Sequence, residues 1–383
     1  MIRDGSLQPS TNEQIVREPS LNCGGMITKD QIKTFAQEVG FDACGITLPK
    51  PLVEAEEVLR QWTRAGKHGE MKYLEEFGSR RDQFWKRFAA AKSVIVLGVN
   101  YYSSDRADRE SSTPFTGRIA RYAWGRDYHK VISKRLERLK QRINEEAKTA
   151  VQFDSAVDTK PLFERSLAQR AGLGFIGKQT QLLSLQFGPW LFLSELITDL
   201  RLEPDEPFSG SCGTCRLCID ECPTGAIEET GSIDARKCIA YLTIEHKTGI
   251  PVEFRPQIGN RVFGCDDCLN VCPYTAKQKV TKWKELTGES GFGSELELAS
   301  LFQIESNREY EEKFRDTAIL RARRKQLLRN ACVVLGNVGS MEAIPMLECA
   351  RKDSSPMVRE HAEWAISRIE DRCKSFTGNK LSF

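Results

Sequence analysis

Four cysteines fall within "CGTCRLCIDECP" (212–223), spaced Cys-x2-Cys-x2-Cys-x3-Cys and closed by a proline. Thiolates so close on one loop suit a 4Fe–4S cubane. In two-cluster bacterial ferredoxins the first three bind one cluster and the fourth binds the other. Zinc prefers two-plus-two spacing and fits this loop poorly. Farther on, "CDDCLNVCP" (265–273) looks like the same device with one cysteine missing. A full copy would place a cysteine at 262, where the chain has Val262, but Cys238 stands between the motifs in "DARKCIAYL". The expected ligand sets are therefore crossed. Cys212, Cys215, Cys218 and Cys272 hold one cluster, and Cys222, Cys238, Cys265 and Cys268 hold the other. A radical S-adenosylmethionine loop would need a third cysteine at 225, where the chain has Gly225.

Two clusters conduct single electrons and carry out no substrate chemistry by themselves. The long segment before them should hold a terminal acceptor, and its pattern is that of a folded domain. "TKDQIKTFAQEVG" places Ile32, Phe35, Ala36 and Val39 on one helical face that ends at Gly40. "DACGITL" reads as a strand, and "KSVIVLGVNY" (92–101) and "WLFLSELITDL" (190–200) read as buried strands. Between them lie a long amphipathic helix (128–148), a strand entering a loop (150–159), and a helix terminated by glycine (163–174). Strands alternating with helices give an α/β (α+β) domain over 26–205. The cysteine-rich domain covers 206–280. From about 295 to 373 the pattern is wholly helical and reads as two short hairpins resembling a HEAT-like pair. Residues 1–25, polar and rich in turn formers, and 374–383 are expected to be tails.

Composition sets outer limits. Of 383 residues, 40% are hydrophobic and 28% charged, ordinary for a soluble globular protein. No apolar run reaches membrane-spanning length and no signal-like segment opens the chain, so a cytoplasmic protein is expected. The 13 cysteines are an odd number crowded without a secretory leader, which argues metal binding over a disulfide framework. The net charge of +3 is too small to imply a polyanion partner by itself.

Several longer stretches are specific. "HGEMKYL" (68–74), "RYAWGRDYHK" (121–130), "VDTKPLFERSLAQRAGLGFIGK" (157–178), "CPTGAI" (222–227), "CIAYLTIE" (238–245) and "IGNRVFGCDDC" (258–268) together resemble the epoxyqueuosine reductase family. The resemblance runs from about 28 to 275, with a HEAT-like tail of the kind members often carry. It implies reduction of the epoxide of epoxyqueuosine to queuosine at the wobble position of tRNA, the last step of queuosine biosynthesis. It also implies two 4Fe–4S clusters, a cobalamin that cycles between cob(II)alamin and cob(I)alamin, and kinship with reductive dehalogenases. The proton donor of the family falls on Asp158 in "VDT". Cobalamin contacts are implied for Arg81, Ala120, Lys178, Gln179, Ala240, Tyr241, Thr243 and Glu245. "DYHKVI" has Asp127 and His129 but Ile132 where the Asp-x-His-x-x-Gly motif needs glycine, so His129 is expected to be structural rather than a lower axial ligand.

A tRNA partner needs a basic face, because phosphates dominate affinity. "RDTAILRARRKQLLR" (315–329) supplies one, with Arg321, Arg323, Arg324 and Lys325 as candidate contacts, and "KQKVTKWK" (277–284) is a second basic stretch. The protein is expected to act as a monomer with an unidentified low-potential electron donor. Another corrinoid iron–sulfur reductase, of reductive dehalogenase type and acting on a small organic substrate, is the alternative. That reading would favour an export signal and no basic C-terminal helices. A simple electron carrier would leave residues 26–205 without a purpose.

Overall fold

The computed structural model describes residues 27–104, 115–147, 149–276 and 278–378. The tail expected over 1–25 lies outside these, as do Cys23, Lys277 and residues 379–383.

The first domain begins with α1 (Lys29–Glu38), whose Thr28 and Gln31 form a reciprocal capping box. There follow β1 (Ala43–Thr47), α2 (Val53–Arg64), α3 (Phe77–Arg87), β2 (Ser93–Asn100) and β3 (Thr116–Ile119). Next come α4 (Tyr128–Glu146), β4 (Phe153–Ala156), α5 (Glu164–Arg170), β5 (Phe175–Ile176), β6 (Leu182–Leu183) and β7 (Leu191–Thr198). The main sheet has the order β1-β2-β7-β4, and every pair in it is antiparallel. All residues of β2 are buried, which is why its sequence is apolar without alternation. Ile95, Leu97 and Val99 join the core under α1 and α4, while Val94 and Val96 join the core under α5.

The cysteine-bearing segment contributes α6 (Leu217–Asp220), α7 (Ile239–Ile244), α8 (Arg255–Ile258), β8 (Arg261–Phe263) and α9 (Asp267–Asn270). A strand also forms at β9 (Glu295–Glu297), within the stretch expected to be wholly helical. It pairs with β3, whose other edge takes β8, so one small sheet ties together three distant parts of the chain.

The C-terminal layer comprises α10 (Ala299–Phe302), α11 (Asn307–Lys313), α12 (Arg324–Val338), α13 (Ile344–Ala350) and α14 (Pro356–Gly378). The stretch expected to form two short hairpins is therefore a long, a short and a long helix. The tail expected from 374 begins later, because α14 continues to Gly378. Burial explains the layout. The α12 run from Gln326 to Gly336 is buried on all sides, between α14 and the cysteine-bearing segment. Among the described residues, no helix is long and apolar enough to cross a membrane.

Candidate functional site

The eight clustered cysteines are all free thiols, and their effects on one another divide them into two groups. Burial raises the Cys218 thiol first, and the nearby Cys212 and Cys215 add to it. Cys272 is raised by burial and then by the same neighbours, Cys212, Cys218 and Cys215. Burial likewise raises Cys238, with Cys222 beside it, and Cys268, with Cys265, Cys238 and Cys222 beside it. Thiols that raise one another favour ionisation only when a cation is bound. Backbone N–H groups already point at two of the sulfurs: Lys178 donates to Cys212 Sγ at 3.4 Å, and Ala226 to Cys222 Sγ at 3.3 Å. Among the described residues, no group of three or more His, Cys, Asp or Glu converges as the ligands of a single ion would. A cubane asks for a wider spread, since each thiolate binds a different iron.

Val262, at the position of the missing cysteine, is fully buried in β8. A Cβ on Gly117 of β3 would lie 2.6 Å from the Val262 Cβ, so the two strands are in close contact here. The 262 side chain is spent on the core, and Cys238 at the head of α7 stands on the other group.

Asp158 is exposed at the centre of a group of interacting side chains beside the second group, and the space it faces is called the cleft. Asp158, in the loop after β4, has a positive φ of 52°, an unusual backbone state for a residue with a Cβ. Its Oδ2 accepts from the Tyr128 hydroxyl at 2.9 Å, and its N–H donates to Glu164 Oε1 at 2.9 Å. Tyr128 is fixed by stacking on Phe192, with centroids 4.2 Å apart and planes 7° apart. Asp158 also acts electrostatically on Tyr73, Tyr122 and Arg321, and Glu245 acts on the same three groups. These five side chains therefore share one space. Arg165, beside Glu164, is exposed and donates to the Thr180 carbonyl. Asp266 borders the cleft next to Cys265 and Cys268; its carboxyl is pushed up to about 6, chiefly by burial, and it accepts the Arg121 N–H at 2.6 Å. A recess lined by Gln37, Arg138 and Trp283 involves none of these residues.

The residues expected to contact cobalamin separate into groups. Glu245 faces the cleft and accepts Arg321 Nε at 2.7 Å. Ala120 is buried against Gly264, where φ is +75° and a Cβ would lie 2.5 Å from the Ala120 Cβ. Gln179 is buried with an Nε2 that meets no protein acceptor, so an amide donor is left free for a bound group. Lys178 leans on the first cysteine loop instead, with Nζ donating to the carbonyls of Gly213 and Cys215 at 3.0 and 2.9 Å. Arg81 bonds Glu56 and Asp82, both at 2.8 Å. In α7, the Tyr241 hydroxyl accepts the Glu70 N–H at 2.7 Å, Thr243 Oγ1 accepts the Gly264 N–H at 2.9 Å, and Ala240 is half-buried. His129 bonds Asp127, the N-cap of α4, at 2.7 Å.

The basic segment also divides. Arg323 and Lys325 are exposed. Arg324 bonds the Ile304 carbonyl and Asp353, each at 2.7 Å, in a largely buried pair. Arg329 is wholly buried and donates to the carbonyls of Leu242, His246 and Thr248, and burial pushes its guanidinium down to about 9. Arg321 turns into the cleft. Sequence reasoning missed Tyr73, Tyr128, Glu164 and Glu195. For Glu195 a signal existed: an acid in the middle of an otherwise buried apolar strand.

Comparison with known proteins then fixes the family. The chain is 41% identical over 347 residues to an epoxyqueuosine reductase of Xanthomonas campestris, covering 88% of this chain and 95% of the relative. The chain belongs to the epoxyqueuosine reductase family. A Pseudomonas aeruginosa member is 42% identical over 347 residues, covering 88% of this chain and 93% of its own. The model "Epoxyqueuosine reductase QueG, DUF1730" matches residues 81–159, and a "4Fe-4S double cluster binding domain" matches residues 211–275, which hold all eight clustered cysteines. The fold is similar to the crystal structure of an epoxyqueuosine reductase with an epoxyqueuosine-modified tRNA-Tyr stem loop. That likeness has a TM-score of 0.79 at 32% identity and covers 89% of this chain and 90% of the other.

Proposed function

We propose that this chain reduces epoxyqueuosine to queuosine in tRNA, with Asp158 as proton donor in the cleft beside the second cysteine set. The observation that carries the reading is the meeting of Asp158, held by Tyr128, with a cleft that adjoins Cys265 and Cys268 through Asp266. Converting the epoxide to an alkene consumes two electrons and two protons and releases water.

The thiolates of Cys212, Cys215, Cys218 and Cys272 would hold one 4Fe–4S cluster, and those of Cys222, Cys238, Cys265 and Cys268 the other. Cobalamin, when bound, would supply a low-valent metal able to deliver electrons to carbon. Two features suit such a group: Gln179 offers an unpaired buried amide, and Glu245 and Arg321 set opposite charges at the rim of the cleft. Tyr128 keeps the Asp158 carboxyl aimed into the cleft, where it would give its proton to the leaving oxygen. Arg323 and Lys325, exposed at the head of α12, are the free cations for tRNA phosphates, while Arg324 would orient that head through Asp353. The C-terminal helices would serve as a HEAT-like layer that carries this face. A low-potential donor would approach the exposed loop around Leu217, beside the first set. The chain would act as a monomer.

The test is anaerobic reconstitution with iron, sulfide and cobalamin, followed by assay on tRNA carrying epoxyqueuosine with a strong reductant. The expected product is queuosine, one oxygen lighter. A fully loaded enzyme that leaves epoxyqueuosine unchanged contradicts the reading.

A further inference from the structure

Behind Asp158 lies a pair of acids that a single proton donor does not require. Glu195 sits in the middle of β7, opposite Val96 of β2 and Ala156 of β4, and has no exposed surface. Neither of its carboxylate oxygens receives an N–H or hydroxyl from the protein. What it does meet is the carboxyl of Glu164, on α5, which packs over β7. Two carboxyl groups bond to each other only if a proton lies between them. The remaining charged groups facing the pair are Asp158, from the loop after β4, and Arg165, the neighbour of Glu164 on α5. An ionised Glu195 in such a place would be a buried, unpaired charge, which folded proteins avoid by keeping the proton.

The reaction supplies a use for that proton. Breaking both C–O bonds of the epoxide takes two electrons from the reducing system and needs two protons, and Asp158 carries only one at a time. We propose that Glu164 and Glu195 share one transferable proton that recharges Asp158 between the two protonations of the leaving oxygen. This rests on the function proposed above. Asp158 protonates the epoxide oxygen as the first C–O bond breaks. The shared proton then passes to the Asp158 carboxylate, and Asp158 gives it to the same oxygen, which departs as water when the second C–O bond breaks. The pair is left doubly ionised, with the Arg165 guanidinium beside it, until solvent protons return. Glu164 is already fixed to the Asp158 backbone by the 2.9 Å N–H bond, so donor and store move together. Burial, and then the Asp158 charge, push the Glu164 carboxyl up to about 8, so the pair keeps its proton at neutral pH.

Two readouts on the reconstituted full-length enzyme test this. One is the infrared C=O band of a protonated carboxyl, identified by its shift in D2O. The other is the pH profile of single turnover on epoxyqueuosine-containing tRNA. Wild-type enzyme should show the band at pH 7, and its rate should fall as pH rises past about 8. Glu195→Gln should lose a protonated-carboxyl band that Asp158→Asn keeps, slow turnover about 10²-fold at pH 7, and lose that alkaline limb. Glu164→Gln, which keeps an acceptor for the Asp158 N–H, should do the same with cluster content unchanged. A purely structural Glu195 predicts the opposite, because Gln is a neutral isostere: Glu195→Gln with wild-type rate and profile overturns the proposal. Wild-type enzyme without the band at pH 7 overturns it as well. If wild-type enzyme fails on tRNA altogether, the proposed function falls, and the band still decides whether the pair holds a proton.

Discussion

The two cysteine sets derive from near-copies of one spacing motif, yet they sit in different surroundings. Cys212 and Cys215 lie on a loop whose neighbours Gly213, Thr214, Arg216 and Leu217 are exposed, while Cys218 and Cys272 of the same set are buried, with Phe175, Leu183, Phe208 and Tyr274 behind the set. The four cysteines of the other set are each partly exposed, but more of the protein packs around two of them. Cys265 packs with Ile239, Ile258 and Val333, and Cys268 packs against the core under α4. Arg329, Asn330 and Gln326 of α12 bond the backbone from Leu242 to Thr248 and at Val262, which fixes the frame around that set. The loop of the first set opens to solvent at Cys212 and Cys215, and Cys265 and Cys268 of the second flank Asp266. Cys238 would make the difference: as a ligand it would take that role from a strand needed by the core to the head of the helix that runs to Glu245. Duplicated metal motifs can diverge into an entry port and a delivery port by relocating one ligand.

The comparison can be broken from either side. Cys238→Ala should abolish turnover with any reductant and reduce iron to that of a single cluster; full iron content would mean Cys238 is no ligand. Asp158→Asn should lower the single-turnover rate by about 10²–10⁴ while iron content and tRNA affinity stay at wild-type level. Acid should loosen the side of the second set through His361. That buried ring donates from Nδ1 to the Met357 carbonyl at 2.8 Å and accepts the Ile250 N–H at 3.1 Å, which requires the neutral form. Burial lowers its pKa from 6.5 to about 3. A base whose folded pKa is lowered lets the unfolded chain bind more protons in that window. Stability is thus complete above pH 6.5 and falls by up to about 1.4 kcal/mol per unit toward pH 3. Thermal melts of wild type and His361→Gln over that range should differ in slope. Cys215→Ala should remove the outer cluster yet keep single turnover with a small strong reductant within a few-fold of wild type; complete loss would mean the outer set is not merely an entry port. The smallest effect belongs to Val262→Cys. It should leave iron content unchanged and cost at most about 1.5 kcal/mol in melting experiments, because the side chain points into the core against Gly117.

Much of this was legible in the residues. The apolar run at 93–99 could only be a buried strand, and the 3.6-residue stripe of α4 is plain in sequence. The antiparallel order of the sheet was not, since alternating strands and helices fit parallel and antiparallel sheets alike, and pairing depends on distant partners. β9 was hidden because its three residues are too short for a period. Among site residues, Asp158 stood in a recognisable motif, but its company did not: Tyr128 read as the first turn of an amphipathic helix, and Glu164 as an ordinary helix-start acid. The basic run at 315–329 misled by uniformity. Its charges look alike in sequence, whereas Arg329 is committed to buried carbonyls, Arg324 to Asp353, and Arg321 to Glu245.

The division of labour between the two sets is tested most directly by electron paramagnetic resonance on reconstituted single-cluster variants. Each variant would be reduced in the presence of the paramagnetic form of bound cobalamin. In Cys215→Ala, which keeps the inner cluster, the cluster and cobalt signals should broaden one another strongly. In Cys238→Ala, which keeps the outer cluster, that mutual broadening should vanish. Strong coupling in Cys238→Ala and none in Cys215→Ala would contradict the account.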